Sequence, residues 1–189
     1  MGPCKKDGNV SLDGRGPEEQ RADYGRRNRT RQESKERNRQ KSRPDQGLVV
    51  DANIVFAALI RDGPTRQLIA KLDVPLLAPE TILAEIMKHH KHLLEKSNAT
   101  ELEFDKILKA LFLKIDVAHF REYHNFIELA KLLTKDIGDV PFVALALARQ
   151  ADIWSEDKGF PKNEDFRVFK TKEILERINR TALNSDHKV

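Results

Sequence analysis

The chain has 189 residues, 39% of them hydrophobic, enough for one domain with a real core and too few for a second full one. No apolar run approaches the roughly 20 residues of a membrane span, no signal-like apolar segment opens the sequence, and the single cysteine, Cys4, excludes an internal disulfide or a cysteine-based zinc site. The net charge of +4 is unevenly spread: residues 1–47 hold 13 Lys and Arg against 8 Asp and Glu, and residues 48–189 hold 21 against 22, so a location in the cytoplasm and a nearly neutral folded part are expected.

Residues 1–47, including RRNRTRQESKERNRQKSRPDQ, contain almost no aliphatic residues and no apolar periodicity, so they cannot bury enough surface to offset the entropy of ordering. They are expected to form a disordered basic extension. From Leu48 onward, short apolar runs alternate with stretches of helical period, the pattern of β-α units around a parallel sheet. Strands are predicted at LVV (48–50), VPLLA (74–78), KIDV (114–117), DIWS (152–155) and FRVFK (166–170). Helices are predicted over 53–61, 65–72, 79–95, 101–113, 119–133, 140–150 and 171–179. Pro79 suits a first helical turn, Asp139 can cap the helix entered at Pro141, and Thr171 opens the last. VPFVALALA is apolar on every face, as a helix enclosed by the domain should be. Residues 181–189 are expected to form a disordered tail.

Ligands of open parallel α/β sheets sit beyond the carboxyl ends of the strands. Asp51 follows LVV there, and Asp157 follows DIWS. Asp139 stands at the start of the enclosed helix, and Glu85 lies in PETILAEIMKHH, roughly 60° outside that helix's apolar arc. Each has a plain structural reading: Asp136 and Asp139 as caps in KDIGDVP, Asp157 as a turn residue before Gly159, Glu85 as a surface charge. Asp51 resists one, because an apolar strand runs into it and an apolar helix runs out. Carboxylates gathered together repel and raise one another's pKa values unless a cation neutralises them. Mg²⁺ or Mn²⁺ suits such oxygen ligands, and the site could activate a water for in-line attack on a phosphodiester.

In their order and spacing, LVVDAN, PETILAEI, KDIGDVPFVALALA and IWSEDKGF, followed by FRVFKTKEIL, resemble the PIN-domain nucleases, including the toxins of bacterial and archaeal toxin–antitoxin pairs. The resemblance covers about residues 48–178 within a domain expected over 48–180. It implies a three-layer α/β sandwich, with a central parallel sheet of order 3-2-1-4-5 flanked by helices. It carries the family's acidic positions onto Asp51, Glu85, Asp139 and Asp157, which would hold one or two Mg²⁺ or Mn²⁺ ions for cleaving RNA. Asn53 and Ser155 match supporting polar positions, and Asp136 matches an acidic residue that some members carry ahead of the third. An RNA substrate, an antitoxin and a second copy of the chain are the partners expected of this class, and a membrane is not. Members that process RNA without an antitoxin, and a non-catalytic binding module, are the alternative readings.

Other features have weaker meanings. Lys135, Arg149 and Lys158 flank the acidic positions and could contact an RNA backbone. A phosphatase of the haloacid dehalogenase type would resemble D-x-D at the first strand, where Asn53 stands instead. His89, His90 and His92 do not converge from one helix and lack a cysteine to complete a zinc site. Trp154 falls in an apolar strand and is expected in the core.

Overall fold

A computed structural model describes residues 47–161 and 163–185. The expected disorder of the N-terminal extension therefore lies outside the described residues, apart from Gly47. Gly47 has φ +86°, and a Cβ there would meet the Pro75 carbonyl oxygen at 2.8 Å. A glycine is needed where the chain enters the sheet this close to its neighbour.

The strands are β1 (Leu48–Val50), β2 (Leu76–Pro79), β3 (Ile115–Ala118), β4 (Asp152–Trp154) and β5 (Val168–Phe169). They form one five-stranded sheet of order β3-β2-β1-β4-β5, and every pairing is parallel. The helices are α1 (Ala52–Ile60), α2 (Pro64–Lys71), α3 (Thr81–Ser97), α4 (Glu101–Phe112), α5 (Ile127–Leu133), α6 (Val140–Arg149) and α7 (Thr171–Ser185). Order reverses direction at β1, so right-handed crossovers send α1–α4 to one face and α5–α6 to the other. The α/β three-layer sandwich and the strand order 3-2-1-4-5 are those expected from the sequence. The strands are short and central. Val49, Val50, Ala78, Ile153 and Trp154 are all fully buried, which is why β1 reads as an unbroken apolar run.

Several boundaries differ from the sequence reading. Pro79 does not open α3; it is the last residue of β2, paired with Ala118, a strand terminus where a missing N–H is tolerated. The helix expected over 119–133 is broken into two 3₁₀ turns, Phe120–Glu122 and His124–Phe126, before α5. The Glu122 carboxylate reaches back to accept the His119 N–H at 2.8 Å, closing a capping box that tightens the chain there. The last helix continues to Ser185, past the expected end at Asn179 and into the segment read as a tail. Trp154 is in the core as expected, its indole N–H donating to Thr171 Oγ1 at 3.1 Å. No described helix is long and apolar enough to cross a membrane.

α6 is enclosed as its composition predicts: residues 140 and 142–147 are all buried. It starts beside the carboxyl ends of the strands and ends at Gln150, whose left-handed φ of 52° turns the chain back into β4. At the other end of the sheet, Arg66 donates to the Ala58 and Leu59 carbonyls at 2.7 and 3.2 Å, satisfying carbonyls that α1 leaves open at its last turn.

Candidate metal centre at the carboxyl ends of the strands

Asp51 stands where β1 becomes α1. Its backbone carbonyl accepts the Ile54 and Val55 N–H groups at 3.0 and 3.3 Å, and its side chain makes no capping bond to the helix. The carboxylate therefore projects from the sheet instead of closing the helix. Ser155 Oγ, fully buried at the end of β4, donates to Asp51 Oδ2 at 2.6 Å. Asn53 Nδ2 donates to the same oxygen at 3.3 Å. The Ser155 bond links the ends of strands adjacent in the sheet, since β1 pairs with β4, and the Asn53 bond comes from the first turn of α1. Burial raises the Asp51 pKa, opposed by Ser155, the Ala52 N–H and Asn53, and the charge of Asp157 raises it further.

Asp139 precedes α6 and is buried. Its backbone is already helical (φ −77°, ψ −20°) and its side chain does not cap the helix. Capping explains the residue's place in the sequence but not its bonds. Instead, Thr134 Oγ1 donates to Asp139 Oδ2 at 3.4 Å. Burial, then the charges of Asp136, Asp51 and Asp157, push the Asp139 pKa up to about 6, with the Thr134 hydroxyl opposing. Glu85 is half-buried on α3. Its pKa is raised by burial and then by Asp51, lowered by Lys88, and raised by Asp136. Asp157 is exposed on the loop after β4, with its N–H donating to Ser155 Oγ at 3.0 Å.

Asp51, Glu85, Asp136, Asp139 and Asp157, drawn from segments far apart in sequence, thus lie in one electrostatic neighbourhood. Among the described residues none of the five forms an ion pair with a lysine or arginine. No three or more His, Cys, Asp or Glu side chains among those residues are drawn close enough to hold a metal ion as they stand. The donor set is all oxygen, which fits a hard divalent cation. Like charges without a counter-charge favour separation over convergence.

Two residues important to this arrangement escaped the sequence reading. Thr134 bonds both Asp139 and the Asp136 N–H, the latter at 3.2 Å; the signal was its place two residues before Asp136, as Ser155 stands two before Asp157. Lys88, three residues after Glu85 on α3, is a cation whose charge lowers the Glu85 pKa. Lys135 and Lys158 are exposed on the loops that carry the acids. Arg149 is not beside them: it is on the last turn of α6, the far end of the helix from Asp139, with its guanidinium bonded to the Glu122 carboxylate. Two histidines of α3 are separately engaged. His89 packs edge-on against Phe56 of α1, while His90 packs against Phe104 of α4 with its Nε2 3.5 Å from Glu101.

With this geometry in hand, comparison with known proteins gives a family. The family model described as "PIN domain" matches residues 49–174. The chain belongs to the PIN-domain family, a family of nucleases. Among solved structures, a chain of VapBC2 from Rickettsia felis, crystallised with a DNA fragment from their promoter, is similar at 14% identity and a TM-score of 0.47, covering 66% of this chain and 98% of that one. No curated protein matches.

Proposed function

We propose that the chain is an endoribonuclease dependent on Mg²⁺ or Mn²⁺, with Asp51, Glu85, Asp139 and Asp157 as the metal-holding carboxylates. The observation that supports this best is Asp51 itself. It is a buried acid at the end of a central strand, given a short hydrogen bond by Ser155 and no cationic partner among the described residues. Burying an ionised group is costly unless something compensates it, and two neutral donors compensate it only in part.

When bound, a divalent ion would neutralise these carboxylates and acidify a water for attack on a phosphodiester. The chain's own residues do the rest. Ser155 and Asn53 both bond Asp51 Oδ2, which fixes the carboxylate's rotation. Thr134 bonds Asp139 Oδ2 in the same manner. The turn after Ser155 sets Asp157 at the rim, and Lys88 offers a positive charge near Glu85 for a substrate phosphate. No histidine or lysine among the described residues is placed as a dedicated base, so a ligand carboxylate or solvent takes the proton.

RNA as the substrate and a toxin role follow from the motif resemblance. The test is cleavage of a single-stranded RNA by wild-type and Asp51→Asn protein purified in parallel, with Mg²⁺, Mn²⁺ or EDTA. Cleavage only by the wild type and only with divalent metal supports the enzyme. Equal cleavage by both proteins, or none by either, favours the binding-module reading. Growth arrest on expression of the wild type but not of Asp51→Asn supports the toxin role.

A further inference from the structure

Beyond the carboxylates, the most unusual exposed side chain is Phe120, 52% exposed in the first turn after β3. Its location follows from the sheet register. Val49 pairs with Leu77, and Pro79 pairs with Ala118. Continuing the β1–β2 register sets Asp51 level with Pro79 and Ala118, roughly 10 Å across two strand spacings. At the carboxyl ends of β2 and β3 follow Glu80 and His119, joined by a 3.1 Å contact from Nδ1 to Oε2, with Glu80 partly and His119 largely exposed. Phe120 follows His119 directly.

The turn that carries Phe120 is held at several points. The His119 N–H donates to Glu122 Oε1 at 2.8 Å, and the Tyr123 N–H donates to the Phe120 carbonyl at 3.1 Å. Glu122 in turn holds Arg149, which gives that arginine an anchoring role in place of the RNA contact suggested by sequence. The Phe120 ring packs edge-to-face with the buried Tyr123 at 5.6 Å and 85°, and lies 5.9 Å from the His124 ring. A floor of aromatic rings thus fixes Phe120 while about half of it faces outward.

The surroundings decide what would cover it. Protein-docking surfaces are contiguous apolar patches, whereas the neighbours of Phe120 in this segment, His119, Arg121, His124 and Asn125, are polar and exposed. Arg121 enters no ion pair among the described residues. An exposed, preorganised aromatic ring beside a free cation is the recognition chemistry of single-stranded nucleic acid: the ring stacks a base and the cation takes a phosphate. We propose that Phe120 is a stacking platform for a base of single-stranded RNA lying across the carboxyl edge of the sheet, with Arg121 on an adjoining phosphate. The identity of the ligand rests on the nuclease reading above; the platform does not depend on where the bond is cut.

The test uses the full chain and a fluorescein-labelled single-stranded RNA of roughly 12 nucleotides, free or annealed to its complement, with anisotropy read in EDTA. Phe120→Ala and Phe120→Leu should weaken binding to the single strand about 5- to 100-fold and leave duplex binding unchanged. Phe120→Leu keeps an apolar contact to Tyr123, so a matched melting curve separates stacking from folding. Phe120→Trp should keep the affinity, and its added emission should be quenched by the single strand and not by the duplex. Arg121→Ala should reduce the salt dependence of binding by about one counterion. Equal affinity of wild type and Phe120→Leu for the single strand, or no single-strand binding by the wild type, overturns the proposal. So does loss of self-association in Phe120→Leu with RNA binding intact. Phe120-dependent binding without metal-dependent cleavage upholds the platform and removes the nuclease reading. Cleavage whose KM is the same in wild type and Phe120→Leu does the reverse.

Discussion

The loops at 134–139 and 155–160 are built on one pattern, a hydroxyl residue, then Asp two positions on, then Gly two positions after that. In the first, the Asp136 N–H donates to Thr134 Oγ1 at 3.2 Å and the Gly138 N–H to Asp136 Oδ1 at 2.8 Å. In the second, the Asp157 N–H donates to Ser155 Oγ at 3.0 Å and the Gly159 N–H to Asp157 Oδ1 at 2.9 Å. Each hydroxyl then gives its own proton to a buried acid, Thr134 to Asp139 and Ser155 to Asp51. The loops differ in where that acid comes from. After Gly138 the chain supplies Asp139 itself, whereas after Gly159 it supplies Phe160, buried in the core, and the hydroxyl serves an acid 104 positions away. One turn is thus self-contained and the other ties β4 to β1. In both, one oxygen of the turn aspartate is consumed by backbone and the other has no hydrogen bond among the described residues.

The comparison makes a graded set of predictions. Asp51→Asn and Asp139→Asn should each reduce metal-dependent cleavage by more than about 100-fold, above the range seen when only an outer partner of a metal ligand is lost. Initial rates at saturating Mn²⁺ measure this, and a loss under tenfold would remove that residue from the ligand set. Next come the hydroxyls. Ser155→Ala should cost about 10- to 100-fold and Thr134→Val should sit at or below the lower end, because the Ser155 bond is 2.6 Å and the Thr134 bond 3.4 Å. Ser155→Thr and Thr134→Ser should recover most of each loss, whereas equal losses at the two sites would show that the loops are energetically alike.

The stability of the metal-free protein should move the other way. With its pKa raised to about 6, Asp139 holds its proton more tightly folded than unfolded. Its charged form therefore destabilises the fold at pH 7, and that cost fades as pH falls through 6 toward the ordinary carboxylate range. Asp139→Asn should melt a few degrees above wild type at pH 7 in EDTA, and the gap should close near pH 4. Millimolar Mn²⁺ should stabilise the wild type and not the variant. A variant less stable than wild type at pH 7 in EDTA would contradict this. The smallest effect is expected at the glycines: an added Cβ would meet Asp136 Oδ1 at 3.2 Å in Gly138→Ala and Asp157 Oδ1 at 3.4 Å in Gly159→Ala. Both should cleave within a few-fold of wild type, with Gly138→Ala the slower.

The sheet was legible because its central strands are buried on both faces and leave uninterrupted apolar runs, with helical periodicity between them. Asp51 was legible for the same reason: a charge stands out where LVV meets ANIVFAALI. Local cooperation between side chains was not legible. The Glu122 carboxylate that breaks the expected helix at 119–133 acts through a bond to His119 that no periodicity reveals. Pro79 read as a helix start because its missing N–H is equally harmless at a strand end. Thr134 was visible as a string, T-K-D-I-G beside S-E-D-K-G, but a role for its hydroxyl depends on Asp139 being buried within reach. Arg149 shows the converse: its spacing from Asp139 places it ten residues along, on the last turn of α6, where Glu122 takes its guanidinium.

The central claim is that the carboxylates form one divalent-cation site, and calorimetric titration of the metal-free chain with Mn²⁺ tests it most directly. The account predicts saturable binding by the wild type, proton release that grows as the pH is lowered from 7 toward 6, and loss of binding in both Asp51→Asn and Asp139→Asn. Undetectable binding at millimolar Mn²⁺, or the same isotherm in wild type and both variants, would contradict it.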